Sequence, residues 1–127
     1  AQFNLGHLYE YGMIQDVEDS QTIPIDYKKA VYWYRIAADK YKDSDAQLNL
    51  GFMYDRGYGV PQSYATALKY YKLSAAQDNA QAQYNIGYMY EHGEGVTKDK
   101  ATAILWYEKA ADNGLENAAS AVENLKQ

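Results

Sequence analysis

Apolar and polar positions along the chain recur at helical spacing, and the helices themselves recur with a longer period. The segment AQLNLGFMY from Ala46 sets Ala46, Leu50 and Tyr54 at i, i+4 and i+8, one stripe of a helix. AQFNLGHLY from Ala1 and AQYNIGYMY from Ala82 repeat it. A second apolar segment follows each: AVYWYRIAA from Ala30, ALKYYKLSA from Ala67 and AILWYEKAA from Ala103. There Ala67, Tyr70, Tyr71, Ser74 and Ala75 fall at i, i+3, i+4, i+7 and i+8. Units that repeat in this way cannot bury their apolar faces alone and must stack. The pattern predicts an all-α chain of seven helices, arranged in pairs.

The period also locates what is irregular. Gly51 to Gly87 is 36 positions and Gly6 to Gly51 is 45, while Ala30 to Ala67 is 37 and Ala67 to Ala103 is 36. The first repeat therefore carries eight surplus residues between Gly12 and Ile23, and one more in the turn from Asp39 to Asp45. Asp26, Ser63 and Asp99 stand at equivalent places before the second helices, where their short side chains can accept a bond from a free backbone N–H. In the linkers YDRGYGVP and YEHGEGVT a glycine suits the left-handed conformation that ends a helix. Gly6, Gly51 and Gly87 instead lie inside first helices, where each costs about 1 kcal/mol against alanine. The expected offset is close approach of the partner helix at Ala30, Ala67 and Ala103, with Trp33, Tyr70 and Trp106 filling the space between helix pairs.

The pattern A-x-x-x-L-G-x-x-Y-x-x-G-x-G-V, then A-x-x-W-Y-x-x-A-A, resembles the Sel-one-like repeat, a family of tetratricopeptide-like α-solenoids. Ala82, Ile86, Gly87, Tyr90, Gly93, Gly95, Val96, Ala103, Trp106, Tyr107, Ala110 and Ala111 carry it in the third repeat. Residues 46–75 match with Tyr70 for tryptophan and Ser74 for alanine, and residues 1–38 match outside the enlarged loop. The resemblance implies a right-handed α-α superhelix of antiparallel helix pairs, three repeats plus a C-terminal capping helix. One domain then spans residues 1–127, with repeats at about 1–45, 46–81 and 82–117 and the cap at about 118–127. In the cap, Glu123 replaces the packing glycine and Lys126 the tyrosine, as suits a polar terminal helix. Because Ala1 already falls within a first helix, the chain is expected to be a piece of a longer protein.

Composition narrows the function. Among the 127 residues, 47% are hydrophobic and 23% charged, as in globular domains. Cysteine is absent, which excludes a disulfide framework, a zinc-thiolate site and a cysteine nucleophile. A net charge of −5 is the opposite of a nucleic-acid binder's basic excess. No run of eighteen apolar residues predicts membrane insertion, and a cytoplasmic location is expected. The 15 tyrosines against 2 Phe and 2 Trp reflect the repeats, since tyrosine buries a ring while its hydroxyl reaches the edge.

Candidate chemistry is sparse. Gly57-Tyr58-Gly59 and Gly93-Glu94-Gly95 lack the third glycine and the strand of a dinucleotide loop, and read as interhelical turns. His7 and His92 occupy different repeat positions, and no metal site or cofactor is expected from them. Asp16, Glu18 and Asp19 in the loop 13–22 do not match calcium spacing and read as a solvated acidic loop, with a partner contact as the other reading, since long loops often carry function. Asn4, Asn49 and Asn85 share one repeat position; they could bond a bound peptide's backbone, but the expectation is that each bonds the backbone of a neighbouring turn.

The resemblance further implies that the first helices line a concave face and the second helices a convex one. Concave positions would then be Phe3, His7, Glu10 and Tyr11; Leu48, Phe52, Asp55 and Arg56; and Tyr84, Tyr88, Glu91 and His92. The basic residues Lys28, Lys29, Arg35, Lys69, Lys72 and Lys109 fall on the second helices. The family implies a protein-interaction scaffold or adaptor, with relatives in protein quality control, cell-wall synthesis regulation and bacterial signalling. The partner expected is a protein or peptide held on the concave face, and end-to-end self-association is open to such a stack. An alternative is a hydrolytic or β-lactam-binding enzyme like some secreted bacterial relatives. Those relatives carry paired cysteines, and this chain shows no nucleophile–base pair, so no catalytic residue is assigned.

Overall fold

The computed structural model describes residues 26–127. Six α-helices follow in order: α1 (Tyr27–Arg35), α2 (Ser44–Arg56), α3 (Tyr64–Ala75), α4 (Ala80–His92), α5 (Lys100–Asp112) and α6 (Glu116–Lys126). The described residues form no strand. The seventh expected helix, at the start of the chain, and the loop 13–22 lie outside the described residues.

Each second helix begins where its cap was expected. The side chains of Asp26, Ser63 and Asp99 accept from the backbone N–H groups of Lys29, Thr66 and Thr102. The first helices use the same device through Asp43 and Asn79, which accept from Ala46 and Ala82. Gly57 and Gly93 close α2 and α4 at φ 72° and 71°. The second glycine of the linker has a separate reason. A β-carbon on Gly59, already at φ 76°, would meet the Tyr27 carbonyl oxygen at 2.6 Å, so this turn packs directly on the start of the preceding second helix.

The surplus residue after Asp39 is absorbed before the turn. α1 ends in a π-helical stretch, Ile36–Lys40, the usual consequence of one residue inserted into an α-helix. After it the register is restored: Lys42, Asp78 and Gly114 all take positive φ at equivalent places in the three turns.

Three apolar clusters run along the stack. The first joins α1 to α2 through Ala30, Val31, Tyr34, Leu50 and Met53, with Tyr70. The second joins α3 to α4 through Ala67, Tyr71, Ala82, Ile86 and Met89. The third seats α6 on α5, with Val122 against Ala103 and Tyr107. Buried amides tie successive pairs at the turn edge. Gln77 donates to Gln47 and Asn113 donates to Gln83, both at 2.9 Å and both at the same repeat position.

Of the rings expected to fill the space between helix pairs, Tyr70 does so, buried in the first cluster, while the two tryptophans depart from the expectation in degree. Trp33 and Trp106 are only partly buried. The fully buried rings are those one position on in each second helix, Tyr34, Tyr71 and Tyr107. A β-carbon on Gly51 would meet the Tyr71 ring at 2.7 Å and the Ala67 carbonyl oxygen at 3.2 Å; on Gly87 it would meet the Tyr107 ring at 2.8 Å and the Ala103 carbonyl at 3.2 Å. The close approach to alanine is as expected, and beside each of these glycines lies in addition a tyrosine ring, Tyr71 or Tyr107. Trp106 packs from the side against the second cluster, with the Lys109 ammonium 4.6 Å above its ring.

Candidate functional site

The two adjacent first helices α2 and α4 leave a groove of about 540 Å³ between them. Helical spacing puts Leu48, Phe52, Asp55 and Arg56 on one wall and Tyr84 and Tyr88 on the other. These are six of the expected concave-face residues, brought to one site. Glu91 and His92 stand beside it: Glu91 accepts from the Tyr107 hydroxyl at 2.6 Å, and the His92 ring lies 4.1 Å from that of Tyr88. Phe3, His7 and Tyr11, with Glu10, lie outside the described residues.

The floor is built from the second helix beneath. The Tyr71 ring, held against Gly51, aims its hydroxyl into the groove and donates to Asp55 Oδ2 at 2.9 Å. Burial pushes its pKa well up; the Asp55 charge and this bond push the same way, while Asn85 and Arg56 oppose them. Tyr107 repeats the arrangement with Glu91 one repeat on, and its pKa is raised by burial and by that bond. The hydroxyl-to-carboxylate bond thus locks α3 to α2 and α5 to α4, each time four residues past the packing glycine.

Asn85 corrects a sequence expectation. Its side chain accepts from Gln81 Nε2 at 2.9 Å, and it faces the groove rather than a backbone turn. Asn49 lines the same groove; Asn4 lies outside the described residues. Gln81, Tyr64, Tyr71 and Glu94 complete the lining and were missed. The shared repeat position of Asn49 and Asn85 had offered them as peptide-backbone contacts, the reading their place in the groove favours. Glu94 had no such signal, because it lies in a turn and reaches the groove only through the fold.

Chemically the site offers ring faces, amides, two carboxylates and one guanidinium. Among the described residues no three His, Asp or Glu side chains gather to hold a metal ion, and no helix is long and apolar enough to cross a membrane. Two serine hydroxyls are engaged structurally: Ser74 donates to the Ser44 carbonyl at 2.8 Å, and Ser63 caps α3 while donating to Thr66.

Comparison with known proteins agrees with the geometry. The Sel1 repeat model matches residues 1–41, 44–79 and 80–115. Protein sel-1 homolog 2 of Rattus norvegicus is 35% identical over 69 residues, and that of Homo sapiens 33%. Both alignments cover 54% of this chain and 9% of the relative, so the chain spans about a tenth of these relatives' length. The Sel1 repeat protein from Oxalobacter formigenes superposes with a TM-score of 0.81 at 33% identity, over 95% of this chain and 46% of that one. The protein c5321, a protective antigen of uropathogenic Escherichia coli strains displaying an SLR fold, gives 0.79 at 36% identity, over 92% and 23%. Helicobacter pylori cysteine rich protein B shares the fold, with a TM-score of 0.71 at 24% identity, over 79% of this chain and 74% of that one. Sel1 repeat proteins are generally protein-interaction scaffolds. With its helix-packing glycines, capped helix pairs and three matched repeats, the chain belongs to the Sel1 repeat family.

Proposed function

We propose that this chain is an interaction scaffold that holds a peptide or protein partner on its concave face, in the groove between α2 and α4. One observation carries the reading. Phe52, Tyr84 and Tyr88 line a concave groove while remaining partly exposed, Tyr88 at 44%. A concave surface desolvates a bound segment from several sides, so rings there contribute more to binding than rings on a convex surface. Tyrosine suits such a surface because its ring has few torsions to immobilise and its hydroxyl can still bond. The hydrolytic alternative gains no support, since the chain has no cysteine and the site has no activated nucleophile.

Affinity capture from the native source tests the proposal, run in parallel with the wild-type chain and with the Tyr84→Ala, Tyr88→Ala double variant. A partner held by the wild type and lost by the variant, at unchanged helical content, supports it. Equal retention by both removes the groove as the binding surface. Sedimentation at two concentrations should precede the assay, because end-to-end association of the stack would imitate capture.

A further inference from the structure

We infer that the groove between α2 and α4 receives a basic side chain, lysine or arginine, from an extended segment of the partner. The inference rests on the concave-face reading above and specifies the chemistry of the occupant.

The first support is in the rings. Phe52, Tyr64, Tyr84 and Tyr88 line the groove, and an aromatic face attracts a cation placed over it. The groove already demonstrates this on itself: the Arg56 guanidinium sits 5.2 Å from the centroid of the Phe52 ring. A ring in this wall is therefore placed where a cationic side chain can lie across it.

The second support is in the charges. Two carboxylates, Asp55 and Glu94, face one guanidinium, Arg56, in a chain of net charge −5. Asp55 is held in place by the Tyr71 hydroxyl through Oδ2. The Glu94 carboxylate has no hydrogen-bond or ion-pair partner among the described residues. Glu91, which the repeat position had suggested, is committed to Tyr107 instead. A cation entering between ring and carboxylate gains from both, and an anion would face the Glu94 charge and the negative faces of the rings. The amides of Asn49, Gln81 and Asn85 on the same walls can bond an extended backbone on either side of that cation.

Arg56 gives the inference an unusual sign. It is the one positive charge of the groove and covers a face of Phe52, so it competes with an incoming basic side chain. Removing it should tighten a basic occupant and weaken an acidic one.

The test uses the purified chain and a short peptide of alternating glycine and arginine, with the same peptide carrying neutral citrulline in place of arginine as control, by calorimetry at low salt. The arginine peptide is expected to bind about tenfold or more tighter than the citrulline peptide. Glu94→Gln should weaken it about three- to tenfold and Arg56→Gln should tighten it about threefold, as expected of charges within one groove. Glu123→Gln on α6 removes the same charge elsewhere and should change nothing. Weakening by Arg56→Gln, equal effects of Glu94→Gln and Glu123→Gln, or no binding of the arginine peptide would each overturn the inference. A captured partner that is lost on Tyr84→Ala, Tyr88→Ala substitution but is not displaced by the arginine peptide would also overturn it, while leaving the concave-face reading intact.

Discussion

The ring of Tyr71 lies so close to Gly51 that a β-carbon there would meet it at 2.7 Å. That contact explains a residue which helix propensity disfavours. Glycine costs the helix about 1 kcal/mol, and a fully buried tyrosine ring occupies the space it leaves. The same ring then reaches Asp55 and becomes the floor of the groove. Packing and site therefore share one side chain.

Gly51→Leu should lower stability by about 2–3 kcal/mol, because the Tyr71 ring and the Ala67 carbonyl leave no room and overpacking a tight crossing costs that much. Urea unfolding followed by circular dichroism measures it. A midpoint equal to the parent's would mean that α2 and α3 do not cross as closely as described.

The ring pair on α5 separates two roles. Tyr107 is fully buried and Trp106 only partly so. Tyr107→Ala should cost about 3–5 kcal/mol, as aromatic truncations in cores do, and Trp106→Ala less than that despite the larger ring. Denaturant titration of the two variants side by side gives the order, and the reverse order would return the central packing role to Trp106.

Tyr71 also sets an alkaline signature. Burial and the Asp55 charge raise its pKa above the ordinary value, so the folded state keeps a proton that the unfolded chain releases above about pH 10. Stability from this group is complete below that pH and declines as pH rises further, by roughly 1.4 kcal/mol per pH unit at most. Tyr71→Phe lacks both the bond and the titration. At neutral pH it should be less stable than the parent by about 1–2 kcal/mol, the loss of a bond to a charged acceptor. Above pH 10 the gap should narrow. Unfolding curves from pH 7 to 11 check this, and a gap that widens with pH would contradict the assigned bond.

The repeats, the caps at Asp26, Ser63 and Asp99, and the close approach of Gly51 to Ala67 were legible because each is a local signal repeated in register. Most of the groove's expected residues within the described region were legible for the same reason: repeat position fixes which way Phe52 and Tyr88 point. The choice between Trp106 and Tyr107 was not, since adjacent helix positions differ by about 100° and both are aromatic, so only the crossing geometry decides which ring meets the glycine. Glu94 was invisible because a turn has no periodicity to read. The surplus residue near Asp39 was placed one step late; the helix absorbed it as a π-helical stretch at Ile36–Lys40 instead of leaving it in the turn.

The most direct test of the account is the affinity of a recovered partner for two variants, Tyr88→Ala in the groove and Lys72→Ala, exposed on the outer helix α3. The account predicts that Tyr88→Ala weakens binding by about 1 kcal/mol or more, roughly fivefold in Kd, with helical content kept and with Lys72→Ala unchanged from the parent. Binding abolished by Lys72→Ala and untouched by Tyr88→Ala would place the partner on the convex face and contradict it.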